Sequence, residues 1–164
     1  MNADHIRQLY EYTFALNDRV WACIEQLSDA QFVEELDYSL GSVRNHVVHW
    51  LNVDERWFAR LRNAPLPAII YAQDFPTKAV VKTKWDAVRE DLQAYLVILD
   101  DEMLAKSFVY DTRRRRQMTS IAWQILIHVM NHATDHRAQI LAGLHRLGAP
   151  TLEQDLILYL WEQE

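Results

Sequence analysis

The chain has 164 residues, half of them hydrophobic and 24% charged, with three Gly, four Pro and the single cysteine Cys23; this fits one folded domain, 1–164, long enough to bury roughly two-thirds of its unfolded surface. So few turn residues exclude an all-β fold, and one thiol excludes an internal disulfide or a multi-thiolate zinc site. The net charge of −6 excludes a whole-protein positive field for nucleic acid or anionic lipid.

The elements follow from periodicity. Residues 3–27 carry Ile6, Tyr10, Phe14, Val20, Trp21 and Ile24 at three- and four-residue steps, which is the period of an amphipathic helix. Ser28-Asp29 ends it. Gly41-Ser42 opens a second helix, with Ser42 as N-cap, whose face of Val43, Val47, Trp50, Asp54, Trp57, Phe58 and Leu61 runs to about residue 63. Pro65 and Pro67 stop it, since proline cannot donate to a helix. A long surface crossing, 64–80, predicts that one pair of helices runs parallel. A third helix spans about 81–105 through Trp85, Val88, Leu92, Tyr95 and Leu99. Residues 106–118 have β character at Phe108 to Tyr110 and predict a loop or short hairpin. Thr119 or Ser120 caps a fourth helix that ends at Gly148-Ala149-Pro150, and 152–162 form a short fifth. Together these predict an all-α four-helix bundle with a short C-terminal helix. No apolar run reaches the roughly 18 residues of a membrane span. The opening MNADHIRQ has no signal-peptide apolar segment, so the expected location is the cytoplasm.

Five of the seven histidines fall into two groups: His46 and His49 on the second helix, and His128, His132 and His136 on the fourth. The fourth-helix spacing is i, i+4, i+8. Each step drifts only about 40° around a helix, so the three rings share a stripe. Two histidines at i, i+4 can hold one metal, while a third ring a turn further on is too distant to join them. The remaining ligand is expected from a facing helix, from His46 or His49. His5 and His145 read as solvated. Residue 133 is Ala, so the glutamate base of the HExxH arrangement is missing.

Ser42, His49, Asp54 and Trp57 form a Ser-x6-His-x4-acid-x2-aromatic pattern. Asn131, His132, His136, Arg137 and Gln139 match an NHxxxHRxQ pattern. The pair of motifs, with Tyr12, Phe14 and Asn17 on the first helix, resembles the DinB/YfiT-like family of small four-helix-bundle metal-binding proteins. The resemblance implies an up-down-down-up topology, metal ligands His49, His132 and His136, and a homodimer. It also implies a use: some relatives look like metal-dependent transferases that add a low-molecular-weight thiol to an electrophile, and others resemble hydrolases or isomerases. The chain departs from the family's pattern at Asp135, Ala138 and Arg113 to Arg116, none of which is among those ligands.

Three neutral imidazoles leave a divalent metal its full charge and an open position, the layout of a catalytic site. That position can lower the pKa of a water toward about 7 or hold a thiolate. Histidine nitrogen suits zinc, nickel, copper and iron alike. The expected partner is therefore a small molecule such as a low-molecular-weight thiol, with no nucleic acid and no membrane. The alternatives are a non-catalytic metal-binding stress-response or interaction protein, and a plain bundle whose histidines are packed or solvated. Asp135 and Gln139 fall within about 20° of His128 around the fourth helix, as hydrogen-bond partners for the ligands or as solvated residues. Asp54 and Arg137 point into apolar faces and are expected to pair between the second and fourth helices. Arg113 to Arg116 read as a solvated turn or an anion-recruiting rim.

Overall fold

A computed structural model describes residues 1–112 and 115–163. Four long helices carry the fold: α1 (Ala3–Glu25), α3 (Val43–Leu61), α4 (Lys78–Ile98) and α6 (Ala122–Arg146). Short helices α2 (Asp29–Val33), α5 (Asp101–Ala105) and α7 (Leu156–Trp161) sit between or after them. An antiparallel hairpin of β1 (Ser107–Tyr110) and β2 (Met118–Ile121) precedes α6, in a register that sets Phe108 opposite Ser120.

Cross-helix contacts fix the directions. Arg7 near the start of α1 donates to the carbonyls of Leu96 and Leu99 at the end of α4, and Lys78 at the start of α4 donates to that of Glu25; these two helices are antiparallel. Tyr10 bonds the carbonyl of Leu126, and Asn17 meets Arg137, so α1 and α6 are parallel. Trp50 packs on Trp85 and Phe58 on Tyr95, so α3 and α4 are parallel too. His46 lies beside His136 and Trp57 beside His128, so α3 and α6 are antiparallel. The order is up-down-down-up, and the parallel α3–α4 pair accounts for the long crossing between them. Asn52 pins that crossing to α3, accepting from the Ile70 N–H at 2.9 Å and donating to its carbonyl at 2.8 Å.

The buried faces are those the periodicity marks. Ile6, Val20, Ile24, Val47, Phe58, Val81, Leu126, Ile140 and Leu144 are all fully enclosed. Phe58 stands edge-on to both Tyr10 and Tyr95. Trp50 is core, buried against Trp85. Ser42 caps α3, its Oγ accepting from the Asn45 N–H at 3.1 Å. Gly148 at φ +74 ends α6, in the left-handed conformation that glycine takes without a Cβ penalty.

Three boundaries differ from expectation. The third helix stops at Ile98, because Asp100 adopts an extended backbone and caps α5 through the Met103 N–H at 2.7 Å. Thr119 and Ser120 do not cap α6: both are paired in β2, and Gln124 instead accepts from the Ile121 N–H at 2.9 Å. The last helix is shorter than 152–162, beginning at Leu156. Ser28, three residues past the end of α1, forms a reciprocal cap with Gln31 and so starts α2. No helix among the described residues is long and apolar enough to cross a membrane.

Candidate metal centre

The antiparallel seam of α3 and α6 brings His49, His132 and His136 together. One ring nitrogen from each lies within 4.8 Å of the other two, and the ring centroids are 5.4, 5.0 and 4.3 Å apart for the 49–132, 49–136 and 132–136 pairs. The i, i+4 spacing stacks the two α6 rings one turn apart, and α3 runs down past them to present His49. Three nitrogens this close can hold one cation by small rotamer adjustments, drawing in to about 2.0–2.1 Å from it.

Burial grades across the cluster: His136 is enclosed, His132 is half-buried and His49 faces solvent. Burial lowers the pKa of His132 to about 3, reinforced by His136, His49 and His128. Burial, then His49 and His46, lowers that of His136 to about 4. Burial likewise lowers His49. All three rings are therefore neutral near pH 7, the protonation state in which imidazole binds a metal. The His132 Nδ1 is buried without a hydrogen-bond partner. A buried nitrogen left unpaired beside two other neutral imidazoles is costly, and a cation would satisfy it, so the residues present fit a metal.

The remaining histidines separate cleanly. His46 is buried, and its Nδ1 lies 3.2 Å from the His136 Nδ1. When the His136 Nδ1–H donates and the His46 Nδ1 accepts, the His136 Nε2 keeps its lone pair for a ligand. A second ring nitrogen held this way fixes the tautomer and orientation of a metal-binding histidine. Of the two α3 candidates, His49 joins the cluster and His46 supports it. His128 is exposed and packs edge-on against Trp57 at 5.3 Å. His145 is exposed, and His5 is used in capping α1.

Asp135 and Gln139 bond each other at 3.0 Å, and Gln139 accepts from the Ser39 hydroxyl. Asp135 is exposed, so its solvated reading holds, although its charge opposes the pKa lowering of His46 and His136.

The expected Asp54–Arg137 pair is not formed. Both side chains are buried, at 7% and 0% exposure, but the guanidinium is taken up by neutral oxygens. It donates to Asn17 at 2.8 Å, Thr134 at 2.9 Å and Gln154 at 3.0 Å, with Tyr12 at 3.5 Å. Tyr12, Asn17 and Gln154 come from α1 and from the segment before α7, which already surround the arginine. Asp54 is left with a buried Oδ1 that accepts no hydrogen bond. Burial pushes its carboxyl well above the usual carboxylate range, opposed by Trp50 and by the field of Arg137.

Two clefts flank Trp57. One, about 750 Å³, starts at His49 and follows α3 past Asn52, Arg56 and Arg60, closed by Ile70 and Tyr71 of the crossing. The other, about 430 Å³, runs from His128 to Tyr110, Arg115 and Met118 of the hairpin region. Arg115 and Arg116 are exposed; Arg113 and Arg114 lie outside the described residues. Arg56 and Arg60 carry a signal that was available in the sequence: they fall seven and eleven residues after His49, within about 20° of it around the helix. Cys23 is half-buried on α1, and burial raises its thiol pKa, which disfavours the nucleophilic thiolate.

Comparison with known proteins gives the family and the fold. The DinB family model matches residues 1–164. The protein DinB of Bacillus subtilis (strain 168) is 25% identical over 166 residues, covering 97% of this chain and 95% of that protein. A crystal structure of a DinB-like protein from Bacillus cereus ATCC 10987 superposes with a TM-score of 0.66 at 16% identity, covering 93% of this chain and 98% of the other. At that identity the superposition shows the shared fold. The chain belongs to the DinB family.

Proposed function

We propose that this DinB-family chain binds one divalent transition metal (zinc, nickel or iron) through His49, His132 and His136. The metal is used as an open Lewis-acid centre on a small molecule, to activate a low-molecular-weight thiol for transfer to an electrophile. The observation that carries the reading is the convergence of three neutral imidazoles at the mouth of a cleft. Among the described residues, no carboxylate or thiol completes the cluster.

The bound cation supplies positive charge that favours the thiolate over the thiol. The chain supplies the rest. His132 and His136 hold two nitrogens on one rigid helix, and His46 orients His136 through their Nδ1 contact. His49 stands at the solvent edge, so the incoming molecule approaches from the cleft side. Neutral ligands preserve the cation's charge, which a carboxylate ligand would reduce. No glutamate is placed as in HExxH, which favours activating an acidic thiol over deprotonating water.

The test is cobalt-substituted protein titrated with low-molecular-weight thiols. Thiolate coordination adds a strong near-ultraviolet charge-transfer band. No band with any thiol, together with a coordination sphere that stays saturated, would leave the metal a structural or stored ion and reject the transferase reading.

A further inference from the structure

We infer that the cleft beside His49 recognises a carboxylate: Arg56 and Arg60 bind the anionic end of the small molecule whose reacting atom lies at the histidine cluster. This rests on the metal–thiol reading for the reacting atom, but not for the anion.

Both arginines lie on the His49 stripe of α3, about 10 and 16 Å along the axis from it, and both line the same cleft. Each guanidinium is anchored by a backbone carbonyl and not by an acid. Arg56 donates to Pro67 at 2.7 Å, and Arg60 donates to the Arg56 carbonyl at 3.1 Å. Arg60 is further clamped over the rings of Trp57 at 4.7 Å and Tyr110 at 5.4 Å, and its buried Nε has no acceptor. Among the described residues, neither forms an ion pair, whereas Arg7, Arg19, Arg62 and Arg89 each do.

Two half-buried like charges one turn apart repel each other, and burial adds to the cost. Both effects lower the pKa of Arg60, burial first and Arg56 second. A fold with net charge −6 that concentrates cations at this wall is completed by an anion, and planar guanidinium donors held in place match a carboxylate. Asp111 also lines the cleft and is engaged by the Gln117 N–H at 2.9 Å. Two arginines and one aspartate leave a single positive charge. That complements a monoanion better than a phosphate, which carries roughly −1.5 to −2 at pH 7.

The experiment pairs 8-mercaptooctanoate with 8-mercaptooctanamide, whose length is comparable to the His49–Arg56 spacing. Each is titrated into cobalt-loaded wild type, Arg56→Gln and Arg60→Gln, following the thiolate band, with melting curves to verify folding. Charge-assisted hydrogen bonds predict that wild type binds the carboxylate about tenfold or more tightly than the amide. Each variant should bring that ratio close to one by weakening the carboxylate more than the amide. Arg56→Lys, which keeps the charge and loses the planar fork, should give an intermediate ratio and covers the case in which a glutamine variant fails to fold. Equal affinities in wild type, or a ratio that survives both glutamine variants because the carboxylate sits on the metal, would overturn the proposal. If neither compound gives a band, calorimetry with octanoate and octanamide on the same proteins decides it: a carboxylate preference lost in Arg56→Gln keeps the anion site although the thiol reading has failed, and no preference rejects the site. Tighter binding of octyl phosphate than of octanoate would overturn the monoanion assignment.

Discussion

His136 and Arg137 are neighbours on α6, and the structure treats them in opposite ways. Arg137 points toward α1 with its guanidinium bonded to Asn17, Thr134 and Gln154. His136 points toward α3 into a cluster of neutral rings where the His132 Nδ1 has no partner and a cleft opens at His49. Both are buried polar groups. The first is satisfied within the fold, so its role is to hold α1, α6 and the C-terminal segment together. The second has one nitrogen held by His46, but the cluster it joins keeps the His132 Nδ1 without a partner. An unsatisfied buried atom marks a site where, as at His132 and unlike at Asp54, other ligand nitrogens and an open cleft lie beside it.

That contrast breaks most visibly at Arg137. Arg137→Ala strips donors from four oxygens and leaves a cavity, and should destabilise the fold by about 3–5 kcal/mol in denaturant unfolding, while the folded fraction keeps wild-type metal affinity. His46→Ala should do the reverse. It costs less stability than Arg137→Ala, having one hydrogen bond to lose, but metal affinity measured by competitive chelation falls about 10–100-fold, the usual loss when the partner of a ligating histidine is removed. Affinity unchanged in His46→Ala would mean that the His46–His136 contact orients nothing.

The smallest effects are in the response to pH, and here the two regions differ in sign. His132 and His136 have folded pKa values below the ordinary 6.5. The unfolded chain therefore binds more protons, and metal-free protein should lose stability as pH falls from about 6.5 toward 4 and 3. His132→Ala should flatten that slope in urea titrations. Asp54 is raised instead, so its contribution is full below the unfolded value and is lost as pH rises toward the folded one. Asp54→Asn should match wild type near pH 4 and exceed it at pH 7. A marked loss of stability at pH 7 would indicate an ion pair after all.

The four long helices were legible in the sequence because amphipathic period is a local property, and Ser42 and Gly148 mark helix ends by chemistry that acts within one turn. The break at Asp100 was not, since an aspartate there serves equally as a solvated helical residue until Leu99 and Leu104 turn inward to the core. At the site, the i, i+4 step put His132 and His136 on one stripe without any tertiary knowledge. Whether His46 or His49 faced them depended on how far α3 slides along α6, which residue spacing does not encode; the family motif pointed to His49. The Asp54–Arg137 expectation failed for a related reason. Two buried opposite charges suggest a pair, but the oxygens that capture the guanidinium come from Asn17 and Gln154, more than a hundred residues from one another in sequence.

The most direct test of the central claim is elemental analysis joined to calorimetric metal titration, on protein carrying no polyhistidine tag, for wild type and His132→Ala. The account predicts one equivalent of a divalent transition metal per wild-type chain, and no stoichiometric binding by the variant, which still melts as a folded protein. One equivalent retained by His132→Ala at wild-type affinity would contradict it.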